Sequence, residues 1–205
     1  MATFLFVSGG WHGGWSWRRV ADRLRAQGHD VYTPTLTGLG ERAHLSRDDV
    51  DLETHIADVM GVIEFEDLDD VVLVGHSYGG MVITAIADRA PERLSRVVYL
   101  DALWPDDGES VADVVGEAAT QAVVAARVDP AHPPLIAGGL EVADLLGVTD
   151  PEDAAWVASK LTPQPPATLT QRLRIERRTS GVPVLFIACL GTEMEGPQRS
   201  QQRAE

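Results

Sequence analysis

The stretch Val71-Val72-Leu73-Val74-Gly75-His76-Ser77-Tyr78-Gly79-Gly80 decides the fold of this chain. Four aliphatic residues read as a short buried strand, and the run from Met81 to Ala90 that follows is compatible with a helix. Gly-x-Ser-x-Gly set between a strand and a helix is the nucleophile-elbow pattern. It predicts Ser77 on a sharp turn, in a strained backbone conformation, with its hydroxyl standing clear of the sheet. Gly75 and Gly79 carry no Cβ, so strand and helix can close around that turn.

Working outward, Phe4 to Val7 reads as a buried strand that ends at Ser8-Gly9-Gly10. A helix is predicted from Ser16 to Ala26, with Trp17, Val20 and Leu24 inward and Arg18, Arg19, Asp22 and Arg25 outward. Asp30 to Thr33 is a second strand, broken by Pro34. A polar loop to about Asp49 leads into an amphipathic helix, Leu52 to Phe65, with Ile56, Val59, Met60 and Ile63 inward. Arg96 to Leu100 is a strand closing on Asp101. Strand and helix alternating at these intervals predict a parallel sheet covered on both faces, with any site outside the carboxyl ends of the strands. Ser8 to Gly10, Ser77 and Asp101 all fall there.

From residue 102 to 181 the rhythm changes. Helical runs (Ser110–Arg127, Leu140–Leu146, Glu152–Leu161, Ala167–Arg174) are separated by prolines, which reads as a helical cap inserted into the core. Residues 1–101 form the first part of the core and 182–205 return to it, giving one domain overall. Pro183 to Cys189 reads as a buried strand. The tail from Leu190 is polar, with no apolar run for another strand, so the strand before it is left as a bare sheet edge.

The chain has 205 residues, 44% of them hydrophobic, and a formal net charge of −14. That is enough chain for one substantial core. The acidity argues against nucleic acid or an anionic membrane as partner. Cys189 is the only cysteine, so no internal disulfide forms and a reducing, cytoplasmic compartment fits. No metal-ligand cluster or phosphate-cradling loop is seen, and neither metal nor cofactor is expected. Trp11, Trp15 and Trp17 suggest core and pocket-wall packing rather than base stacking.

Several stretches together carry a resemblance: Phe6 to Trp15, Tyr32 to Arg42, Val72 to Met81, Tyr99 to Ala102, and Asp150 to Trp156. They resemble the α/β-hydrolase superfamily, in the branch of plant methyl-salicylate and methyl-jasmonate esterases, hydroxynitrile lyases and their bacterial relatives. The resemblance implies a parallel-sheet core with a helical cap, lacking here the last strand and helix. It implies Ser77 as nucleophile on a small apolar ester, and an oxyanion held by the backbone N–H groups of Gly10 and Tyr78. Trp11, Trp104 and Trp156 are expected at an apolar pocket. A small-molecule substrate is the expected partner, and a homodimer is possible.

Two departures from the family stand out. Ser8 replaces a usual histidine, which reads as loop packing. In this fold the triad runs Ser, then Asp or Glu, then His. Thr192 stands where the acid is expected, and the last histidine of these 205 residues is His132, in the cap. Candidate substitutes for base or acid are His12, His132, Asp101 and Glu193. His76 is expected to point into packing, and His29, His44 and His55 to lie at the surface or in loops. Losing the base of a serine triad costs on the order of a million-fold in turnover. Three readings follow from the residues: a serine esterase, a triad-deficient member that binds a small molecule or catalyses a lyase or cyclisation step in the same pocket, or a truncated esterase.

Overall fold

The computed structural model describes residues 1–116, 147–176, 181–191 and 195–204. Five parallel strands form one sheet: β1 (Thr3–Val7), β2 (Asp30–Tyr32), β3 (Val71–His76), β4 (Leu94–Leu100) and β5 (Val184–Ile187), in the order β2-β1-β3-β4-β5. The chain starts in the interior of the sheet, steps out to β2, and then crosses to the other side of β1. The switch between β1 and β3 opens a crevice at their carboxyl ends, where open α/β sheets place their sites.

Strand alternation sorts the side chains onto two faces. Leu5, Val7, Leu73, Val97 and Tyr99 pack with helices α2 (Leu52–Phe65) and α3 (Gly79–Arg89). Phe6, Val31, Val74 and Val98 pack with Trp17 and Ala21, at the start of α1 (Arg18–Ala26). Helix α2 begins with a capping box, Asp51 accepting from the Thr54 N–H while the Thr54 side chain bonds back to residue 51. Its inward residues are as the periodicity predicts: Ile56, Val59 and Ile63 are buried and Met60 is partly so. Helix α1 differs. A 3-10 turn over Gly14–Trp17 precedes it and changes its phase, so Ala21 rather than Val20 faces the sheet, and Val20 is 42% exposed.

Between β4 and β5 the described residues form α4 (Val111–Val115), α5 (Pro151–Ala158) and α6 (Ala167–Thr170). The expected helix from Ser110 stops at Gly116, whose φ of 92° leaves the helical region, and the rest of that run, like Leu140–Leu146, lies outside the described residues. The run predicted from Ala167 to Arg174 is helical only to Thr170. The backbone then turns away to bond another loop, with Leu173 N–H donating to Glu109 O at 2.9 Å and Gly108 N–H to Leu173 O at 2.8 Å. The polar tail forms a helix, α7 (Glu195–Ala204), where Ser200 Oγ accepts from the Trp104 N–H at 2.8 Å.

The strand expected to be buried, Pro183 to Cys189, is instead the edge of the sheet. Val184, Leu185 and Ile187 are 43–44% exposed, because among the described residues β4 is their one strand neighbour. The expectation of a bare edge therefore agrees with the structure, and that of burial does not.

Helix α3 is seated by backbone contact. A Cβ on Gly80 would lie 1.9 Å from the Leu103 carbonyl oxygen, whereas a Cβ on Gly61, inside α2, would meet nothing within 4 Å. Gly80→Ala is therefore expected to destabilise the fold by about 3 kcal/mol or more, since backbone cannot yield as a side chain does. Gly61→Ala should add roughly 0.5–1 kcal/mol through helix propensity. Urea denaturation of the two variants checks both signs; equal midpoints would contradict this account of helix seating.

Candidate active site

Ser77 occupies the turn between β3 and α3 with φ of 50°, a left-handed conformation that is costly for a residue with a side chain. The surrounding structure enforces it. The Ser77 carbonyl accepts from the N–H groups of Gly80 and Leu103, both at 3.0 Å. A Cβ on Gly79 would stand 2.6 Å from the Val7 carbonyl oxygen, and one on Gly75 would stand 2.9 Å from the Gly79 carbonyl oxygen. The strand end, the turn and the helix start are thus in backbone contact, as the Gly-x-Ser-x-Gly spacing requires.

The loop after β1 lies against this turn. The Cβ position of Gly9 falls 3.1 Å from Ser77 Cβ, and that of Gly10 falls 3.8 Å from Tyr78 Cβ. Ser77, Gly10 and Tyr78 are therefore brought together. Ser8 is tied into the loop, its hydroxyl donating to Gly13 O at 3.0 Å. Trp11 follows Gly10 in a left-handed conformation, φ 67°. Its N–H donates to Gln164 Oε1 at 3.1 Å, and its carbonyl accepts from the Thr162 N–H, also at 3.1 Å.

The other candidates divide. His12 is buried beside the same loop. Its Nδ1 lies 2.7 Å from the Gly10 carbonyl, which can only accept, so Nδ1 carries the proton and Nε2 a lone pair. Burial holds its pKa below the ordinary value. Asp101 is buried at the end of β4 with φ of 44°, and its Oδ1 accepts from the Cys189 N–H at 3.1 Å. Trp104 stacks on Tyr99 at 4.8 Å and lines a cavity of about 720 Å³ with Thr84, Val97 and Val184. The Trp104 ring faces that cavity, while its neighbour Leu103 holds the Ser77 carbonyl through its N–H. Trp156 packs edge-on against Trp15 at 5.1 Å, beneath the Arg19 guanidinium. His132 and Glu193 lie outside the described residues.

Three polar side chains near the site were not singled out from the sequence: His55, Gln164 and Thr168. His55 is the clearest correction. The sequence suggests a surface or loop residue, yet it is fully buried on α2, with Nδ1 2.9 Å from the Tyr78 hydroxyl and Nε2 2.8 Å from the Thr37 carbonyl. The signal was present in the spacing, since His55 shares the stripe of Leu52, Ile56, Val59 and Ile63 on α2. Gln164 sits in a proline-rich cap segment with no periodicity to mark it as buried.

Three imidazoles, those of His12 and His55 buried and that of His76 half-buried, set a pH dependence. Burial, and secondarily the neighbouring His12, depresses His76 from 6.5 to about 4; burial also lowers His55 and His12. These rings stay neutral in the fold, whereas the unfolded chain takes up protons below about pH 6.5. Their stabilisation is fully present above that pH and is lost as pH falls toward 4, His76 alone accounting for on the order of 3 kcal/mol. The urea midpoint should therefore drop between pH 6.5 and 4, less so in His76→Gln. A flat midpoint across that window would show that these rings are not held neutral.

Comparison with known proteins places these features in a wider group. The profile of the Alpha/beta hydrolase family matches residues 4–205. The chain is 54% identical over 132 residues to a carbendazim hydrolyzing esterase of Nocardioides sp. (strain SG-4G), covering 64% of this chain and 54% of that protein. It is 34% identical over 104 residues to salicylic acid-binding protein 2 of Nicotiana tabacum, covering 50% and 40%. The chain spans about half the length of the curated relatives it matches. Among solved structures, an extracellular alpha/beta-hydrolase from a Paenibacillus species superposes with TM-score 0.75 at 28% identity, over 86% of this chain and 72% of that one. The methylesterase MES16 from Arabidopsis superposes with TM-score 0.75 at 23% identity, over 98% and 84%, a likeness of fold. On the family match and the elbow geometry together, this chain belongs to the alpha/beta hydrolase family.

Proposed function

We propose that the chain is an esterase-like serine hydrolase acting on small, apolar esters. The observation that carries this reading is the left-handed Ser77 turn with the Gly9–Gly10 loop laid against it. In the proposed reaction Ser77 Oγ bonds to the ester carbonyl carbon and its proton passes to a histidine. The carbonyl electron pair moves onto oxygen, which the N–H groups of Gly10 and Tyr78 receive. The Tyr78 N–H stands at the N-terminus of α3, where unsatisfied amides favour a developing negative charge. Collapse expels the alcohol with the histidine's proton, and water repeats the sequence on the acyl-enzyme. Relatives named as methylesterases and as a carbendazim hydrolyzing esterase support a small ester as substrate.

The histidine is the open assignment. Among the described residues, His12 has a ring nitrogen left with a lone pair, Nε2, and a tautomer fixed by the Gly10 carbonyl. As acid we take Asp101, buried at the end of β4 with one carboxylate oxygen on the Cys189 N–H; it would orient a histidine other than His12, whose Nδ1 proton is already given to the Gly10 carbonyl.

The test is covalent labelling. A serine-directed alkyl phosphonate should add one adduct mass to the protein, and Ser77→Ala should take none. His12→Gln locates the base: labelling slowed by a hundred-fold or more assigns it to His12, whereas unchanged labelling moves the assignment to another histidine, His132 first. A folded wild-type protein that takes no label overturns the hydrolase reading and leaves the pocket to binding or a non-hydrolytic step.

A further inference from the structure

Four polar side chains are buried between the cap and the sheet, where apolar residues would cost less to desolvate: Gln164 (4% exposed), Thr168 (0%), Tyr78 (3%) and His55 (0%). They form two hydrogen-bonded pairs, one within the cap and one between α2 and the elbow. In the cap, Gln164 Oε1 accepts from the Trp11 N–H at 3.1 Å, next to Gly10. Gln164 Nε2 donates to Thr168 Oγ1 at 2.8 Å. The Thr168 hydroxyl in turn donates to the Pro165 carbonyl, which fixes the cap turn that carries Gln164.

The protons of the second pair are fixed by elimination. The Thr37 carbonyl can only accept, so His55 Nε2 carries the proton and Nδ1 accepts from the Tyr78 hydroxyl at 2.9 Å. Thr37 is itself anchored, its N–H and hydroxyl donating to the Asp58 carboxylate at 2.6 and 2.9 Å. Arg42 bridges Asp58 and Thr37, with Nη1 3.1 Å from Asp58 Oδ1 and Nη2 2.8 Å from Thr37 Oγ1. The loop of Gly10 is thus held from the cap, and the side chain of Tyr78 is held from α2 and a braced loop.

We propose that the cap segment around Gln164 and Thr168, with His55, is a positioning device that sets the separation between the Gly10 and Tyr78 amides. This rests on the reading of those two amides as oxyanion donors. The geometry supports it at both ends. Trp11 keeps its left-handed φ of 67° while its N–H and carbonyl are both held by cap residues, Gln164 and Thr162. Tyr78 cannot swing without breaking its bond to His55. Because backbone groups do the chemistry, side chains that fix backbone position govern it, and misplacement by about 1 Å can cost on the order of a hundred-fold. The cap is then part of the oxyanion site as well as a cover over it.

Two near-isosteric variants test this. Gln164→Met keeps the length of the side chain and loses both hydrogen bonds; Tyr78→Phe keeps the backbone N–H and loses only the hydroxyl. Each should lower the maximal phosphonylation rate of Ser77 about ten- to a hundred-fold while the half-saturating phosphonate concentration changes less than two-fold. The double variant should lose roughly the product of the two single losses, since the two anchors are separate. The amide resonance of Gly10 in the free protein gives a readout that needs no reaction, and it should shift or broaden in Gln164→Met. Folded variants that label at the wild-type maximal rate overturn the proposal and leave Ser77 as nucleophile untouched. If the wild-type protein takes no label, the functional reading has failed on its own. The amide resonance then decides, and an unmoved Gly10 signal overturns the positioning device.

Discussion

The rest of the molecule depends on holding one L-residue, Ser77, in a left-handed backbone conformation. That conformation costs on the order of 1–3 kcal/mol and survives only where its neighbours leave no alternative. Here the neighbours are backbone: the Val7 carbonyl against Gly79, and the Leu103 carbonyl against Gly80. Side chains adjust to strain by changing rotamer, but these contacts cannot. The strand order follows from the same requirement, because the ends of β1 and β3 must lie side by side for Val7 and Ser8 to meet the start of α3.

Around that fixed point the chain uses two kinds of packing. The two sheet faces are filled by aliphatic and aromatic residues, whose burial is non-directional and tolerant of small shifts. The layer between sheet and cap is polar and directional, built from Gln164, Thr168, Tyr78, His55 and Thr37. An apolar layer would hold the cap on, whereas a hydrogen-bonded one also fixes its register, since each buried polar atom left without a partner is costly. Asp101 shows the same logic on the other side of the elbow, its carboxylate fixing the loop after β5 through Cys189.

What could be read from the sequence divides along this line. Strands β1, β3 and β4, helix α2 and the turn at Ser77 were legible because their signals are local: aliphatic runs, a 3.6-residue stripe and glycines two residues either side of a serine. Features that depend on distant partners were not. Val20 lost its place to Ala21 because a 3-10 turn shifted the phase of α1, and a periodicity argument has no access to that offset. His55 reads as a surface or loop residue because a histidine suggests solvent until its partners, Thr37 and Tyr78, are known, and they lie 18 and 23 residues away. Gln164 is further still, 153 residues from the Trp11 amide it holds. The composition of β5 is that of a buried strand, and only its place in the sheet order exposes it.

The all-parallel sheet has a kinetic side. No two neighbouring strands here are joined by a hairpin, so every pairing waits for a crossover to close; β1 meets β3 only after some sixty intervening residues have been ordered, with Val7 against Gly75. Loop-closure entropy must be met before such contacts return anything, which makes this topology intrinsically slow to form. The elbow lies at the convergence of β1, β3 and the loop after β4. Its contacts come from all three, so Ser77 can hold its strained geometry only once they are in place together.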